Sequence, residues 1–526
     1  MCGIAGLIGR RPDGLAVVNA MLDAIAHRGP DDRAVSRPAA GVVFGHVRLS
    51  IIDLSSAGRQ PMTGAGEKQL IFNGEIYNYV ELRRELGDSY DFRSRSDTEV
   101  ILAAYDKWGA RCVERLDGMF AFALWDARAR AVLLARDRVG IKPLYVASAA
   151  DGTVLFASEI KALLANGLVG AKVNADRLFD FLAVRMLDHT TQTMFVGVEQ
   201  LAPGTTTWID VMDGSRRRRR YWRLPNVPEK ERRPLSAGVV KEFRTLLDEV
   251  LEIHLRSDVP LGVFVSGGLD SSTIACLAAR HYSKPADLHL VSARLVRPTA
   301  ENALVPEVQR ATGGTLHERY QTASEFVADF AGVLFHHDEP FADASMYAHY
   351  DLCRTARRAG VTVLLSGNGG DEVLGGYHFY LFALLGHRLR RGRLGAWSRL
   401  ARRMAQENGY SFPRLLERSI SYAMPQCLRD AGREWTARRS PLLRREFFKD
   451  GRLQFFRGYP GRDLFSEYVL NGLERYTLPG FLHYEDRNSM AFGVEVRVPF
   501  LDHRLLEFAA GLRPEALVGA GRTKEL

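Results

Sequence analysis

The chain has 526 residues, more than one ordinary core accommodates, so two or three domains are expected. A composition of 46% hydrophobic and 25% charged residues, with no transmembrane-length apolar run and no basic-then-apolar leader, argues for an intracellular protein and against a membrane partner. The net charge of +9 gathers in Arg216–Arg220 and in residues 387–403, but aromatics are not interleaved there, so a solvated basic surface is expected rather than a nucleic-acid groove.

The five cysteines (Cys2, Cys112, Cys276, Cys353, Cys427) show no CxxC spacing, which speaks against a zinc site or a disulfide framework and fits a reducing cytoplasm. Met1-Cys2-Gly3-Ile4 places a cysteine where removal of Met1 exposes it as the first residue. A terminal cysteine carries its own base, because an α-amine near pKa ~8 takes a thiol proton far more readily than a lysine near ~10. Taken alone, Cys2 reads equally well as an inert terminal thiol.

A helix from about Leu15 closes at the turn His27-Arg28-Gly29-Pro30-Asp31-Asp32, and residues 44–52 alternate as a strand. Residues 69–72 form another strand ending at Asn73-Gly74-Glu75, a dipeptide that by itself reads as a hairpin turn. A helix over 77–86 follows, and Ser96-Asp97-Thr98-Glu99 caps a helix over 100–108, with Asp97 read as an N-cap. Residues 121–125 and 131–135 pair as a hairpin, and segments 138–145 and 156–161 complete this half. From 204 to 234 the chain loses periodicity and gathers Asp, Gly, Pro and Arg, which reads as an interdomain segment anchored by Tyr221 and Trp222.

Beyond a helix over 239–255, the apolar run 263–265 delivers Ser266-Gly267-Gly268-Leu269-Asp270-Ser271-Ser272 to a helix start. Bare N–H groups and the positive helix end suit a phosphate there. Asp270 would repel a phosphate unless a cation lies between them, which predicts Mg²⁺. No lysine follows, so this is not a Walker A loop. Strands over 288–293 and 362–365, separated by helical segments, imply parallel βαβ units with ligands at the strands' carboxyl ends. The last of them delivers Ser366-Gly367-Asn368-Gly369-Gly370-Asp371-Glu372, a second glycine-rich acidic loop, so Asp270 and Asp371 become the natural metal pair.

The Ser-Gly-Gly-Leu-Asp-Ser string resembles the pyrophosphate-binding loop of the ATP pyrophosphatase superfamily, and the ordered motifs from Cys2 to Leu164 resemble the class II glutamine amidotransferase domain. With residues 337–343, 485–491 and 495–503 added, nearly the whole chain resembles glutamine-hydrolysing asparagine synthetase. The resemblance implies a two-domain α/β protein: an N-terminal-nucleophile αββα sandwich over 2–205, a linker over 206–236, and an adenine-nucleotide α-hydrolase-like domain with a parallel sheet over 237–526. It implies Cys2 as the nucleophile that hydrolyses glutamine, with Asn73 and Gly74 holding the oxyanion. Arg48 and its neighbours Leu49, Ser50, Ile51 and Ile52, together with Glu75 and Asp97, would bind the glutamine backbone groups. ATP would lie on Val265, Ser266, Gly267, Gly268, Asp270, Ser271, Ala293, Ser366, Gly367 and Lys524, with Mg²⁺ on Asp270 and Asp371. Asn368 and Asp371 fall at catalytic positions of the second loop. The partners implied are glutamine, ATP and a small carboxylic acid, aspartate by default, activated as an acyl-adenylate and amidated by ammonia passed internally; dimers are usual for the family.

Three departures stand out. Asn368 replaces an acid usual in the family, and an amide takes up no proton. Arg294 stands where a glycine is usual, and Lys524 is followed by only two more residues where the family continues into a helical tail. These features suit either a neutral variation on asparagine synthesis or a specialised synthetase acting on another carboxylate. A glutaminase or binding protein with an inactive synthetase half is the remaining alternative, against which the intact Ser266–Ser272 stretch and Asp371 argue.

Overall fold

A computed structural model describes residues 2–294, 299–439, 443, 458–519 and 521–526; Met1, whose removal would expose Cys2, lies outside them. The N-terminal half holds two six-stranded antiparallel sheets packed face to face. Strand Gly118–Asp126 shows why its sequence builds this layer. Successive side chains point to opposite faces, so Phe120, Phe122 and Leu124 meet the helices Tyr79–Leu86 and Asp97–Trp108, while Ala121, Ala123 and Trp125 meet the other sheet. Helices Gly14–Ala24 and Ile160–Leu164 cover the first sheet through Val18, Leu22, Ile160 and Leu163. The result is the expected αββα sandwich.

The segment read as a linker is partly structural. Thr205–Asp210 pairs with Ala131–Arg136, and Arg216–Arg220 pairs with Thr205–Asp210 to close the second sheet. The β-branched run Thr205-Thr206-Thr207 has the chemistry of a strand, and its buried burial pattern comes from a partner some seventy positions earlier, as the register Thr205↔Arg136 records. The five arginines form an exposed edge strand, where charge discourages pairing with another chain. The connection between domains therefore begins only after Arg220. Asn73 and Gly74 likewise form no turn: they lie inside strand Lys68–Ile76, opposite Ala121 and Phe120.

The C-terminal half is built on five parallel strands in the order Thr315–Tyr320, His289–Arg294, Leu261–Phe264, Val363–Leu365, Glu495–Arg497. The chain enters at the middle strand, builds outward on one side, then returns to the other. That reversal lies between Leu261–Phe264 and Val363–Leu365, and a crevice at such a switch point is where open α/β sheets bind ligands. Helices from His378–Arg390 to Leu464–Asn471 form a separate cluster around Tyr380, Trp397 and Met404. The basic residues 387–403 belong to this cluster: Arg388 pairs with Glu515, and Arg391 and Arg393 pair with Glu229. No helix among the described residues is long and apolar enough to cross a membrane.

Buried charges join the two halves. Arg497, fully buried at the end of its strand, donates to Glu495 at 2.6 Å and to the carbonyls of His254 and Arg256, and lies 3.4 Å from Glu75 of the N-terminal half. Removing one member of such a cluster strands the others without compensation. Arg497→Leu is expected to destabilise the protein by about 3–5 kcal/mol, read as a lower urea midpoint; an unchanged midpoint would show that Glu75 and Glu495 find compensation elsewhere.

Candidate active sites

Cys2 immediately precedes Gly3–Ile8, an inner strand of the first sheet, and is buried. Its backbone N–H donates to Asn73 Oδ1 at 3.1 Å, its carbonyl accepts from Arg28 Nε at 3.1 Å, and its thiol lies 3.8 Å from the Leu49 carbonyl. Burial pushes the thiol pKa up, and Arg48 opposes that shift. A small pocket in front of Cys2 is lined by Arg48, Leu49, Ile51, Ile52, Gly74, Glu75 and Asp97. Ser50 is the exception among the expected residues. The strand expected over 44–52 ends at Arg48, and beyond it Ser50 lines an outer hollow beside Asp32 and Arg59, where its N–H donates to Asp31 at 2.7 Å.

Two buried polar atoms beside this pocket have no partner: Asn73 Nδ2, a donor, and Glu75 Oε1, an acceptor. Buried polar groups are ordinarily satisfied, so a donor and an acceptor left open around one buried thiol mark a place for a polar ligand. Gly74 has φ +154°, and a Cβ there would lie 2.0 Å from the Met119 carbonyl, so only glycine fits. Asp97 is the first helical residue rather than the cap: Ser96 caps the helix through the Thr98 N–H, while Asp97 Oδ2 accepts from Ile76 N–H at 2.9 Å. The Arg48 guanidinium is steadied by the carbonyls of Asp53 and Ser55. Burial, with Asp97 nearby, pushes the Glu75 carboxyl well up, and burial holds Asp97 at about 6.

The second site lies at the switch point of the parallel sheet. Gly268 precedes helix Leu269–Ala279, and no side chain caps it. The turn is held from within: Ser271 Oγ donates to the Gly268 carbonyl at 3.2 Å and lies 3.0 Å from Ser266 Oγ. Gly267 has φ +82°, and a Cβ would lie 1.9 Å from the Glu301 carbonyl. The second loop presses directly on the first. A Cβ on Gly370 would lie 2.3 Å from Asp270 Oδ2, and one on Gly367 would lie 3.0 Å from the Ser271 nitrogen.

Asp270 and Asp371 do converge, and Lys524 lies between them, 2.6 Å from an oxygen of each. Burial works against the Lys524 charge, but its hydrogen bonds to both acids hold its pKa above the ordinary value. Burial raises the Asp270 carboxyl pKa despite Lys524, and Asp371 and Glu301 add to the rise. Ala293, at the end of its strand, accepts from Asn302 Nδ2 at 2.9 Å; Arg294 beside it is exposed. Asn368 Nδ2 donates at 3.0 Å to Glu485, a buried acid on helix Leu478–Met490. Burial pushes the Glu485 carboxyl up to about 7, against the hydrogen bonds from Ser366 and Asn368.

Residues 1–222 match the glutamine amidotransferase domain family, and residues 242–526 match the asparagine synthase family. Asparagine synthetase (glutamine-hydrolyzing) 3 of Bacillus subtilis is 31% identical, over 100% of this chain and 83% of that protein. The chain belongs to the asparagine synthase family. Asparagine synthetase (glutamine-hydrolyzing) 1 of the same organism is 30% identical over 100% of this chain and 83% of its own length. An amidase of Penicillium rubens, chyE, is 30% identical over 69% of this chain and 55% of that protein.

Within this asparagine synthase family chain, four residues near the sites received no role from the sequence: Glu301, and Lys142, Glu485 and Arg497, although the last three lie in the segments 138–145, 485–491 and 495–503 that carry the resemblance. Each is charged and reaches its site from a distant segment, so spacing along the chain carries no trace of the contact. Composition held one clue, since a buried EDR or EVR triplet is a costly place for charge unless it is paired.

The Asp97 shift yields a stability test. Its pKa rises from 3.8 to about 6 on folding, so its contribution to stability is complete below the unfolded value and lost as pH rises through about 6. Ligand-free Asp97→Asn protein should melt at a higher temperature than the parent near neutral pH, with the gap closing by about pH 4. A gap independent of pH would mean that the carboxyl titrates normally.

Proposed function

We propose that this protein is a glutamine-dependent carbon–nitrogen ligase that activates a carboxylic acid with ATP as an acyl-adenylate and amidates it with ammonia released at Cys2. The observation that carries this reading is the pair of interlocked glycine loops at the switch point, holding Asp270, Lys524 and Asp371 together in the same chain as a Cys2 pocket with open polar atoms. Family membership supports both halves.

At the first site, the exposed α-amine of a processed Cys2 takes the thiol proton and the thiolate attacks the glutamine side-chain amide, forming a thioester and releasing ammonia. Asn73 Nδ2 and the Gly74 N–H receive the developing oxyanion, each such donor contributing roughly 3–4 kcal/mol to the barrier reduction. Arg48 pairs with the α-carboxylate. Glu75 and Asp97 accept from the α-ammonium, and its positive charge offsets their unfavourable burial.

At the second site, the Ser266–Ser271 turn and Lys524 hold the ATP phosphates. The carboxylates there fit Mg²⁺: Asp270 and Asp371 present hard oxygen donors beside one another, and one lysine leaves their charge only partly balanced. Asp270 and Asp371 would hold the ion, whose chemistry is to neutralise phosphate charge. Closing the acyl-adenylate away from water protects it from hydrolysis. Aspartate is the default acid; the amide at Asn368 and the likeness to an amidase favour, as a second reading, a specialised synthetase acting on a different carboxylate.

Cys2→Ala should abolish glutamine-dependent amide formation while ammonium still supports it; glutamine-driven turnover in that variant would refute the nucleophile. ATP, Mg²⁺ and ammonium offered with a panel of aspartate, glutamate, malate, succinate and an N-acylated aspartate should give AMP and pyrophosphate with the true acceptor class. AMP release with aspartate supports asparagine synthesis, release with another acid alone supports the specialised reading, and release with none refutes adenylation by this chain for these acids.

A further inference from the structure

Helix Leu478–Met490 touches both sites with adjacent residues. Asp486 binds Arg28 through both carboxylate oxygens, at 2.8 and 3.0 Å, and Arg28 in turn holds the Cys2 carbonyl. Glu485, one position earlier, points the other way, to Asn368 and Ser366 on the second glycine loop. Gly367, between those two residues, packs on Asp270 and Ser271, so the loop that Glu485 bonds is the one that presses on the Ser266–Ser271 turn.

We propose that Glu485 is the proton acceptor of amide formation, supplying from a helix the carboxylate that the loop itself lacks at Asn368. The step deepens the adenylation reading and rests on it. Ammonia attacks the acyl carbon, forming the C–N bond; the C–O bond to AMP breaks and AMP leaves with the electron pair; a proton from the nitrogen passes to a Glu485 oxygen and later to water. Neutral ammonia must lose one proton to end as an amide, and Asn368 has no basic atom to take it. Its amide instead donates to Glu485 Oε1, which fixes the direction of that carboxylate.

The surroundings suit the role. Glu485 is buried, and the groups facing it are Lys142 from the N-terminal half, Asp486 on its own helix and Cys353 on helix Ser345–Arg358, besides the loop residues Ser366 and Asn368. Burial and Asp486 favour the protonated form, while Lys142 and the two loop hydrogen bonds favour the carboxylate. The balance near 7 is where a group takes and returns protons efficiently at neutral pH.

The test compares the full-length parent with Glu485→Gln, Glu485→Asp and the double variant Asn368→Glu/Glu485→Gln, using whichever panel acid supports ATP–pyrophosphate exchange, with ammonium chloride as the nitrogen source. Glu485→Gln should keep glutaminase activity and exchange within about threefold, while amide formation falls by roughly 100-fold or more. Glu485→Asp should recover part of that rate, and the double variant, with its carboxylate returned to the loop, should recover more than Glu485→Gln alone. The parent's amide-forming rate at fixed free ammonia should rise with pH through about 7, and that inflection should vanish in Glu485→Gln. Amide formation by Glu485→Gln near the parent rate with the same pH profile would overturn the proposal. An equal loss of exchange and amide formation would also overturn it, because that pattern marks a structural role. Absence of exchange in the parent with every acid would instead overturn the adenylation reading, and this proposal with it.

Discussion

Arg28 is the residue on which the assembly of the two halves depends. It is wholly buried, and its guanidinium binds the Cys2 carbonyl, Glu159 and Asp486 at once. A charge without solvent is tolerable only when it is paired and its hydrogen-bond donors are used, so these three contacts have to form together. The network continues through Arg487 to Glu159 and Asp338, and Asp338 accepts from the N–H groups of Ile160 and Lys161 in the N-terminal half. Apolar packing alone permits sliding between surfaces; directional bonds from a planar guanidinium do not. The orientation of the glutaminase-like sandwich against the parallel-sheet domain follows from that geometry.

Each site combines a rigid frame with groups that are unsatisfied by the protein itself. In front of Cys2, strand Lys68–Ile76 brings Asn73, Gly74 and Glu75 to one place, and the sheet pairing that holds them leaves Asn73 Nδ2 and Glu75 Oε1 open. At the switch point, loops that nearly touch leave space only for glycine, and their acids crowd around one lysine. Lys524 reaches that place with φ +56°, a conformation that a lysine rarely adopts, so the bonds to Asp270 and Asp371 hold a backbone that is otherwise unfavourable. Local costs of this kind concentrate where a ligand completes the structure.

The halves are joined by charge at a helix as well as by apolar packing. Asp486 and Glu485 are neighbours in sequence but contact different segments, Arg28 beside Cys2 and Asn368 on the second loop, because consecutive helical residues project about 100° apart. One turn of helix thereby connects the residue that steadies Cys2 with the loop beside Asp270. Lys142, buried from the N-terminal side, adds a positive charge next to both acids.

Much of this protein was legible in its sequence. The alternating residues 44–48 and the apolar run into Ser266-Gly267-Gly268 are local patterns, and local patterns encode local conformation through side-chain period and backbone preference; the strand stops at Arg48 rather than at 52, and Ser96 rather than Asp97 caps its helix. Asp270 and Asp371 stood out as candidate chemistry by residue type and spacing within short glycine-rich segments, whereas Cys2, Asn73, Gly74 and Glu75 drew their candidate roles from the resemblance of the ordered motifs as a whole. The strands Thr205–Asp210 and Arg216–Arg220 were not legible, since a polar or all-arginine strand exists only by virtue of the partner it hydrogen-bonds. Nor was the outward placement of Ser50, whose N–H donates to Asp31 of another segment. What the chain determined by itself is most of its local elements and the candidate reactive residues they carry. Only the tertiary structure decided that Arg28 meets Asp486 across 458 positions, that Lys524 meets Asp270 across 254, and that Asn368 meets Glu485 across 117, because burial of paired charge is a property of the whole fold and of no single segment.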